Sequence, residues 1–574
     1  MKIAIHQFDS IVGNPKVNLL RMVTGVKEKV ADLHLFGELA LTGCYAQDIF
    51  FNKQIQKEVE FCLQEIENVS RETFSSIGVG FSSANKSIGE KALFNTYGVF
   101  GRDSFRQNKV CLSGHEEVNE SRWFQAGKIE SVSVKKIGDE YFGFLTGEND
   151  WAGTSDGIAK KHFLCEQDLY EKLAGEAKSQ GVKLSAFINI SASPEYLGKQ
   201  KLRLGKLSGI AKHYCVPIIF INTVGAQDEL IFGGRSFVLN AKGELVQELK
   251  GFEEDIQIVD TKKIDTMSQV IFSEDKMREL DEMIGCYLKG YLRKSGLLDK
   301  KVIVGLSGGK DSTVVAVALK RHLGADKVLG VMLPYKLGKY TATLSKQIAE
   351  RLGKTLKIEV REVMIDNMVE PIRSSLKIAK DSLAHQNLQA RVRANVLWAI
   401  ANEENGIVIN TTNFSEAAVG YGTIGGDLLG LPLIASIPAT MVVEYLRWLK
   451  ANGENFLDEE MISRPPSAEL IPDQIDANEL GDYDYIDPIL EALRMSYGNQ
   501  EKVKKQFLDK SVRQYQQYWS EPELFEQKLK FLSTKLINQT EYKRWYYNRT
   551  PQFTPFSWLR WRWPLANVEM NKEP

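Results

Sequence analysis

The six residues Ser307-Gly308-Gly309-Lys310-Asp311-Ser312 have types and spacing suited to holding phosphate. They follow the apolar run VIVGL and precede the helical pattern TVVAVALKRHL. Two glycines let backbone N–H groups approach an anion closely, and the start of a helix adds partial positive charge. Ser307 and Ser312 offer hydroxyls. Asp311 alone would repel phosphate, so its place in the loop implies a bridging Mg2+. The spacing is not that of the GxxxxGK[ST] loop.

Further along, NLQARVRANVLWAIAN (387–402) carries Arg391 and Arg393, and NTTNFSEAAVGYGTIGGD (410–427) carries Asn413, Glu416 and Asp427. The Ser307–Ser312 loop resembles that of the N-type ATP-pyrophosphatases. These split ATP between its α and β phosphates, adenylate a carboxylate or carbonyl, and let a nitrogen nucleophile displace AMP. With RPPSAELIPDQID (464–476) and YDYIDPIL (483–490), the likeness narrows to the NAD+ synthetase family and spans nearly all of 275–574. It implies ATP and Mg2+ as cofactors, with Ser307, Gly308, Gly309, Asp311 and Ser312 around the nucleotide. It further implies Asp311 and Glu416 on the metal, where charge neutralisation aids the leaving pyrophosphate. Arg391, Asn413 and Asp427 would meet the substrate, the carboxylate of deamido-NAD+. There is one departure. The family has a lysine that this chain replaces within LPLIASIPATMVV (431–443), at Pro438 and Ala439. Lys310, Lys336 and Lys339 are the candidates to supply its charge. The alternatives are a ligase diverged to another carboxylate or amine, and an inactive nucleotide-binding homologue.

In the first half, GELALTGCYAQD (37–48) holds Glu38, NKVCLSGHEEVNESRWFQAG (108–127) holds Lys109, and FGFLTGENDW (142–151) holds Gly147. Residues 1–250 resemble the nitrilase-like glutaminase domain of the glutamine-dependent branch of the same family, an αββα sandwich. The resemblance makes Glu38 the general base and Lys109 the catalytic lysine. A cysteine is expected where Gly147 stands, with the register fixed by Glu148 and Trp151; Thr146 and Asn149 depart as well. Glycine has no side chain to form a thioester. Cys111, two residues from Lys109, and Cys44, six after Glu38, are expected to be structural thiols, because attack geometry tolerates little displacement. The expected amine donor is therefore ammonia, not glutamine. The amidase-like part would cover apolar surface of the second and build a homo-oligomer.

These residues need strands and helices to position them. Alternation predicts strands at 2–8, 33–39, 76–81, 141–147, 184–190 and 217–225, and helices at 18–33, 168–181 and 199–215. Residues 235–249 read as a hairpin turning at Ala241-Lys242-Gly243. Residues 250–270 show mixed charge and no period, and the boundary is drawn there, giving 1–258 and 259–574. A helix at 274–295 and strands at 301–307, 328–334, 355–364 and 406–412 then suggest a second, Rossmann-like doubly wound α/β domain. The tail SWLRWRWPLAN (557–567) reads as a docked cover.

Lys+Arg 73 against Asp+Glu 74 gives a net charge of -1, which argues against a broad nucleic-acid surface. The 6 cysteines (Cys44, Cys62, Cys111, Cys165, Cys215 and Cys286) form no CxxC pair, so zinc is not expected. No signal peptide, and no apolar stretch of about 18 residues, is found. Cytoplasm and no membrane are the expectations.

Overall fold

The computed structural model describes residues 1–114, 118–147, 168–335, 341–427, 430–465, 470–471, 480–496, 498–535, 540–544 and 550–554. Glu148, Asn149, Trp151, Cys165, Lys336, Lys339, most of the 464–476 stretch and the tryptophan-rich tail lie outside the described residues. The chain divides into two compact units, Met1–Cys286 and Tyr287–Pro574.

The first unit is built on two six-stranded sheets. One contains β1 (Lys2–Gln7), β2 (Leu33–Phe36), β3 (Ser76–Ala84), β4 (Leu93–Phe100) and β5 (Phe105–Asn108), with β14 (Asp255–Asp260) on its edge. The other runs β13-β12-β9-β8-β7-β6, from Val134–Ile137 (β6) and Glu140–Thr146 (β7) through Leu184–Ser191 (β8) and Ile218–Asn222 (β9) to Phe237–Leu239 (β12) and Leu245–Glu248 (β13). A strand's side chains alternate faces. Ile3, Ile5, Leu33 and Leu35 therefore meet Phe142, Phe144, Ile188 and Ile190 between the sheets. Helices Pro15–Glu28 and Lys53–Thr73 cover the outer face of the first sheet, and Leu169–Gln180 and Lys199–Tyr214 that of the second. The αββα sandwich expected from the sequence is what forms. Residues 250–270 differ from their reading as a patternless boundary, since Asp255–Asp260 pairs antiparallel with β1 along its whole length. An exposed edge strand needs apolar residues on one face only, which hides its period among charges.

In the second unit five parallel strands run in the order β17-β16-β15-β18-β19. They are Glu359–Glu362, Val328–Met332, Val302–Gly305, Ile407–Asn410 and Leu431–Pro432 in that order. The first strand of this unit, β15, lies between β16 and β18, so connections leave it in both directions. That is the switch point of a doubly wound sheet, where the carboxyl ends of the strands open a crevice for ligands.

Candidate active site

The loop Leu306–Gly309 leaves β15 at that switch point and enters the helix Lys310–Leu323. No side chain caps this helix, so its first N–H groups and its dipole are presented to the crevice. Gly308 has φ +76°, and a Cβ there would lie 2.5 Å from the Ser345 carbonyl oxygen; only glycine fits. The hydroxyls fix the turn. Ser307 Oγ accepts from the Gly309 N–H at 3.2 Å and lies 3.2 Å from Ser312 Oγ. Ser312 and Thr313 donate to the Gly309 carbonyl at 3.1 and 2.8 Å.

The loop forms one wall of a cavity of about 330 Å³, lined also by Tyr335, Arg393, Thr412, Glu416, Asp427 and Arg464. Asn413 ties the two acids of interest together. Its side-chain amide donates to Asp311 Oδ1 at 3.0 Å and its backbone N–H donates to Glu416 Oε2 at 3.2 Å. Asn413 Oδ1 in turn accepts from the Glu416 N–H at 3.0 Å, a capping box that starts the helix Phe414–Val419. Desolvation pushes the Asp311 carboxyl above its usual range, opposed by the Asn413 bond and the Lys310 charge. Desolvation also pulls the Lys310 ammonium down. Two hard oxygen donors on one cavity could hold a divalent cation. Among the described residues, no group of three or more His, Cys, Asp or Glu side chains forms a metal cage.

Asp427 lines the same cavity. Its Oδ2 accepts from the Thr423 N–H at 3.1 Å, its carbonyl accepts from the Asn410 side chain, and desolvation raises its pKa. Arg391 is placed apart, exposed and donating to the Ile424 carbonyl at 3.1 Å. The arginine two residues on, Arg393, lines the cavity and donates to the Leu333 carbonyl at 3.2 Å. Three further contributors were not singled out by the sequence. Arg464 donates to the Gly308 carbonyl at 3.3 Å and to Ser345 Oγ at 2.8 Å. Tyr335 donates its hydroxyl to Glu370 and receives His385 Nε2–H at 3.1 Å; His385 Nδ1 accepts from the Asp381 N–H. Asp487, buried, accepts from Ser415 Oγ at 2.5 Å and from Thr440 N and Oγ1 at 3.0 and 2.9 Å.

In the first unit, β3 passes so close to residues 38–39 that a Cβ on Gly80 would lie 2.2 Å from Leu39 N. The chain leaves β2 at Phe36, short of the predicted 33–39, and turns through Leu39 at φ +50° to aim Glu38 inward. Lys109 follows β5 and lies between two carboxylates, 2.7 Å from Glu38 and 2.6 Å from Glu120. Asn95 donates to both acids at 2.7 and 2.8 Å, and the Ala192 N–H donates to Glu38 Oε2 at 3.0 Å. Burial alone would pull the Lys109 pKa down, but Glu120 and Glu38 outweigh it and hold the ammonium charged. Burial pushes Glu38 up, with Lys109 opposing. The partner Glu120 went unread because three glutamates crowd 116–120 and no spacing distinguishes it.

Gly147 follows β7 directly and lies beside this cluster, with φ +82° and its N–H donating to the Ile190 carbonyl at 2.7 Å. A Cβ at this position would lie 2.3 Å from Lys109 Cε and 2.4 Å from Nζ, so the lysine occupies the space a side chain would need. Cys111 sits in the apolar cluster under Leu145 and Leu169. Burial, then Glu38 and Glu120, push the Cys44 thiol well above its usual range, the wrong direction for a nucleophile.

The carbon-nitrogen hydrolase family profile matches residues 2–267 and the NAD synthase profile residues 281–529. A glutamine-dependent NAD(+) synthetase of Synechocystis sp. is 32% identical over 508 residues, covering 85% of this chain and 87% of the relative. That of Acinetobacter baylyi is 30% identical, covering 89% and 91%. Among solved structures, a glutamine-dependent NAD+ synthetase from Acinetobacter baumannii in complex with ADP superposes with a TM-score of 0.72 at 25% identity, over 98% of each chain.

Proposed function

The chain belongs to the glutamine-dependent NAD+ synthetase family, and from that premise we propose that it makes NAD+ from deamido-NAD+, ATP and free ammonia without a glutaminase of its own. The observation carrying the ligase half is the uncapped helix start behind Ser307–Ser312, facing a cavity that also holds Asp311 and Glu416. A substrate carboxylate oxygen attacks the α-phosphorus, the bond to the bridging oxygen breaks, and pyrophosphate leaves with that electron pair. Ammonia then attacks the acyl carbon, AMP departs with the ester oxygen, and one proton is lost to solvent. The loop hydroxyls and the Lys310 helix start bind and orient the phosphates. Asp311 and Glu416 would hold Mg2+, which supplies charge neutralisation at the pyrophosphate. Two protein carboxylates suit an ion that keeps waters and takes phosphate oxygens. Asp427, Asn413 and Arg393 support substrate binding in this reading, with Arg391 kept for a part of the substrate outside the cavity.

The claim that glutamine is not hydrolysed rests on position 147, where glycine offers no thiol to form a thioester. Residues 1–258 would then act as a retained scaffold and 259–574 as the ligase, in a cytoplasmic homo-oligomer. Among the described residues no helix is long and apolar enough to cross a membrane. The test is NAD+ formation by the pure protein with ammonium chloride or with glutamine. Turnover with ammonium alone supports the proposal, and equal rates with glutamine overturn it. The altered 431–443 segment favours a second reading, a ligase for another carboxylate or amine. Its mark is substrate-dependent pyrophosphate release with no NAD+ from deamido-NAD+. ATP-to-AMP turnover of any kind would exclude an inactive homologue.

A further inference from the structure

We propose that Arg464 binds the β- and γ-phosphates of the nucleotide and neutralises pyrophosphate as it leaves, taking over the charge absent from residues 431–443. This rests on the reading above that the cavity takes ATP. The place of the missing lysine is closed. Pro438 precedes the helix Ala439–Ala451, and the Ala439 N–H is taken by Ser415 Oγ at 2.9 Å, leaving a sealed helix start with no cation. Among the described residues, the other cations lining the cavity are Lys310, Lys346, Arg393 and Arg464. Lys346 lines the cavity but is spent on both oxygens of Glu362 at 2.8 Å. Arg393 donates to the Leu333 carbonyl just past β16, and its charge offsets that of Asp427. Lys310 adjoins Asp311, and its charge offsets that acid.

Arg464 has a different position. It ends the short helix Glu459–Ser463, lines the cavity and bonds the Gly308 carbonyl of the phosphate loop itself. Its second bond, to Ser345 Oγ, fixes it where the loop passes closest to the helix Thr341–Leu356. A guanidinium is planar, permanently charged and matched to pairs of phosphate oxygens. When the α–β bond breaks, negative charge grows on the bridging oxygen, and a cation anchored on the loop stabilises it most at that moment.

Titration calorimetry on the full chain with Mg2+ tests this, using ATP, pyrophosphate and AMP as probes on the parent, R464K and R464Q. R464Q is expected to weaken ATP and pyrophosphate about 10- to 100-fold while AMP binding holds, because AMP lacks the distal phosphates. R464K should recover part of the loss, which a role confined to bracing the loop through a planar fork would not give. Equal weakening of ATP and AMP, or unchanged pyrophosphate affinity in R464Q, overturns the proposal. A parent that shows this pattern yet forms no NAD+ from deamido-NAD+ and ammonium sinks the functional reading and leaves Arg464 standing. A parent that forms NAD+ while R464Q keeps full affinity does the reverse. A parent that does not bind ATP removes both.

Discussion

At position 147 two physical demands coincide. The backbone sits at φ +82°, where glycine is relaxed and other residues are strained by about 1–3 kcal/mol. The space in front of it is filled by a lysine that two buried carboxylates hold in place. Restoring the thiol as G147C therefore makes Lys109 shift within its two ion pairs or tilts the end of β7. We expect G147C to lower the melting temperature and to leave glutamine-driven NAD+ formation undetectable, while ammonium-driven formation persists. Measuring both activities on one preparation checks this; a variant that gains glutamine use would show that Lys109 yields readily. The glycine was plain in the sequence, but the reason a cysteine would not simply drop in was not. Only the fold brings Lys109 against it from a separate strand end.

Elements carry the next layer of the site. Glu416 and Asn413 stand at the start of the helix Phe414–Val419, and Asp487 holds that start to the helix Ala439–Ala451 through Ser415 and Thr440. Burial pushes the Asp487 carboxyl up to about 6. The change D487N keeps the shape but turns an acceptor oxygen into a donor facing the Thr440 N–H or Ser415. We expect a loss of about 1–3 kcal/mol of stability. Ammonium-driven kcat/KM should fall about 10- to 100-fold as Glu416, the acid proposed to hold Mg2+, shifts, the range seen when groups behind a ligand are altered. Urea unfolding and steady-state rates on D487N measure these; an unchanged kcat/KM would show that Glu416 does not depend on this staple. Strands with steady apolar alternation, such as β1, β3 and β8, were legible, and so was the loop after β15. β4 was missed because Asn95, Thr96 and Gly98 interrupt its apolar run; Asn95 faces the amidase-like cluster, whereas Thr96 faces the other way and bonds Asn108 and Ser83. The helix Lys53–Thr73 was missed although Val59, Cys62, Leu63, Ile66 and Val69 make a buried stripe at helical spacing, its edge blurred by the exposed Phe61. Arg464 was quoted within its motif but not chosen, for a lone arginine in a loop has no periodicity to reveal it.

The whole molecule has two separate interiors, and each answers to pH through its own buried groups. In the first unit His6 on β1 and His34 on the neighbouring β2 face each other, Nε2 to Nδ1 at 3.0 Å, with His6 stacked on Phe36. One proton lies between the rings, and a second would place two N–H groups nose to nose. Burial, with His34 and Lys29 adding, pulls His6 down to about 3; burial pulls His34 to about 4. Both start near 6.5 in the unfolded chain. The folded state refuses protons that the unfolded state accepts, so stability is complete above pH 6.5 and drains as pH falls towards 4. At pH 5 each histidine removes about 2 kcal/mol. Glu279 and Asp487, raised by burial to about 7 and about 6, act in the opposite sense, because the folded state takes up their protons first. The histidine share is therefore read as a difference between parent and H6Q/H34Q. Urea midpoints at pH 7 and pH 5 should show the double variant losing about 4 kcal/mol less than the parent across that interval. Equal losses in the two proteins would mean that the paired rings do take up protons inside the fold.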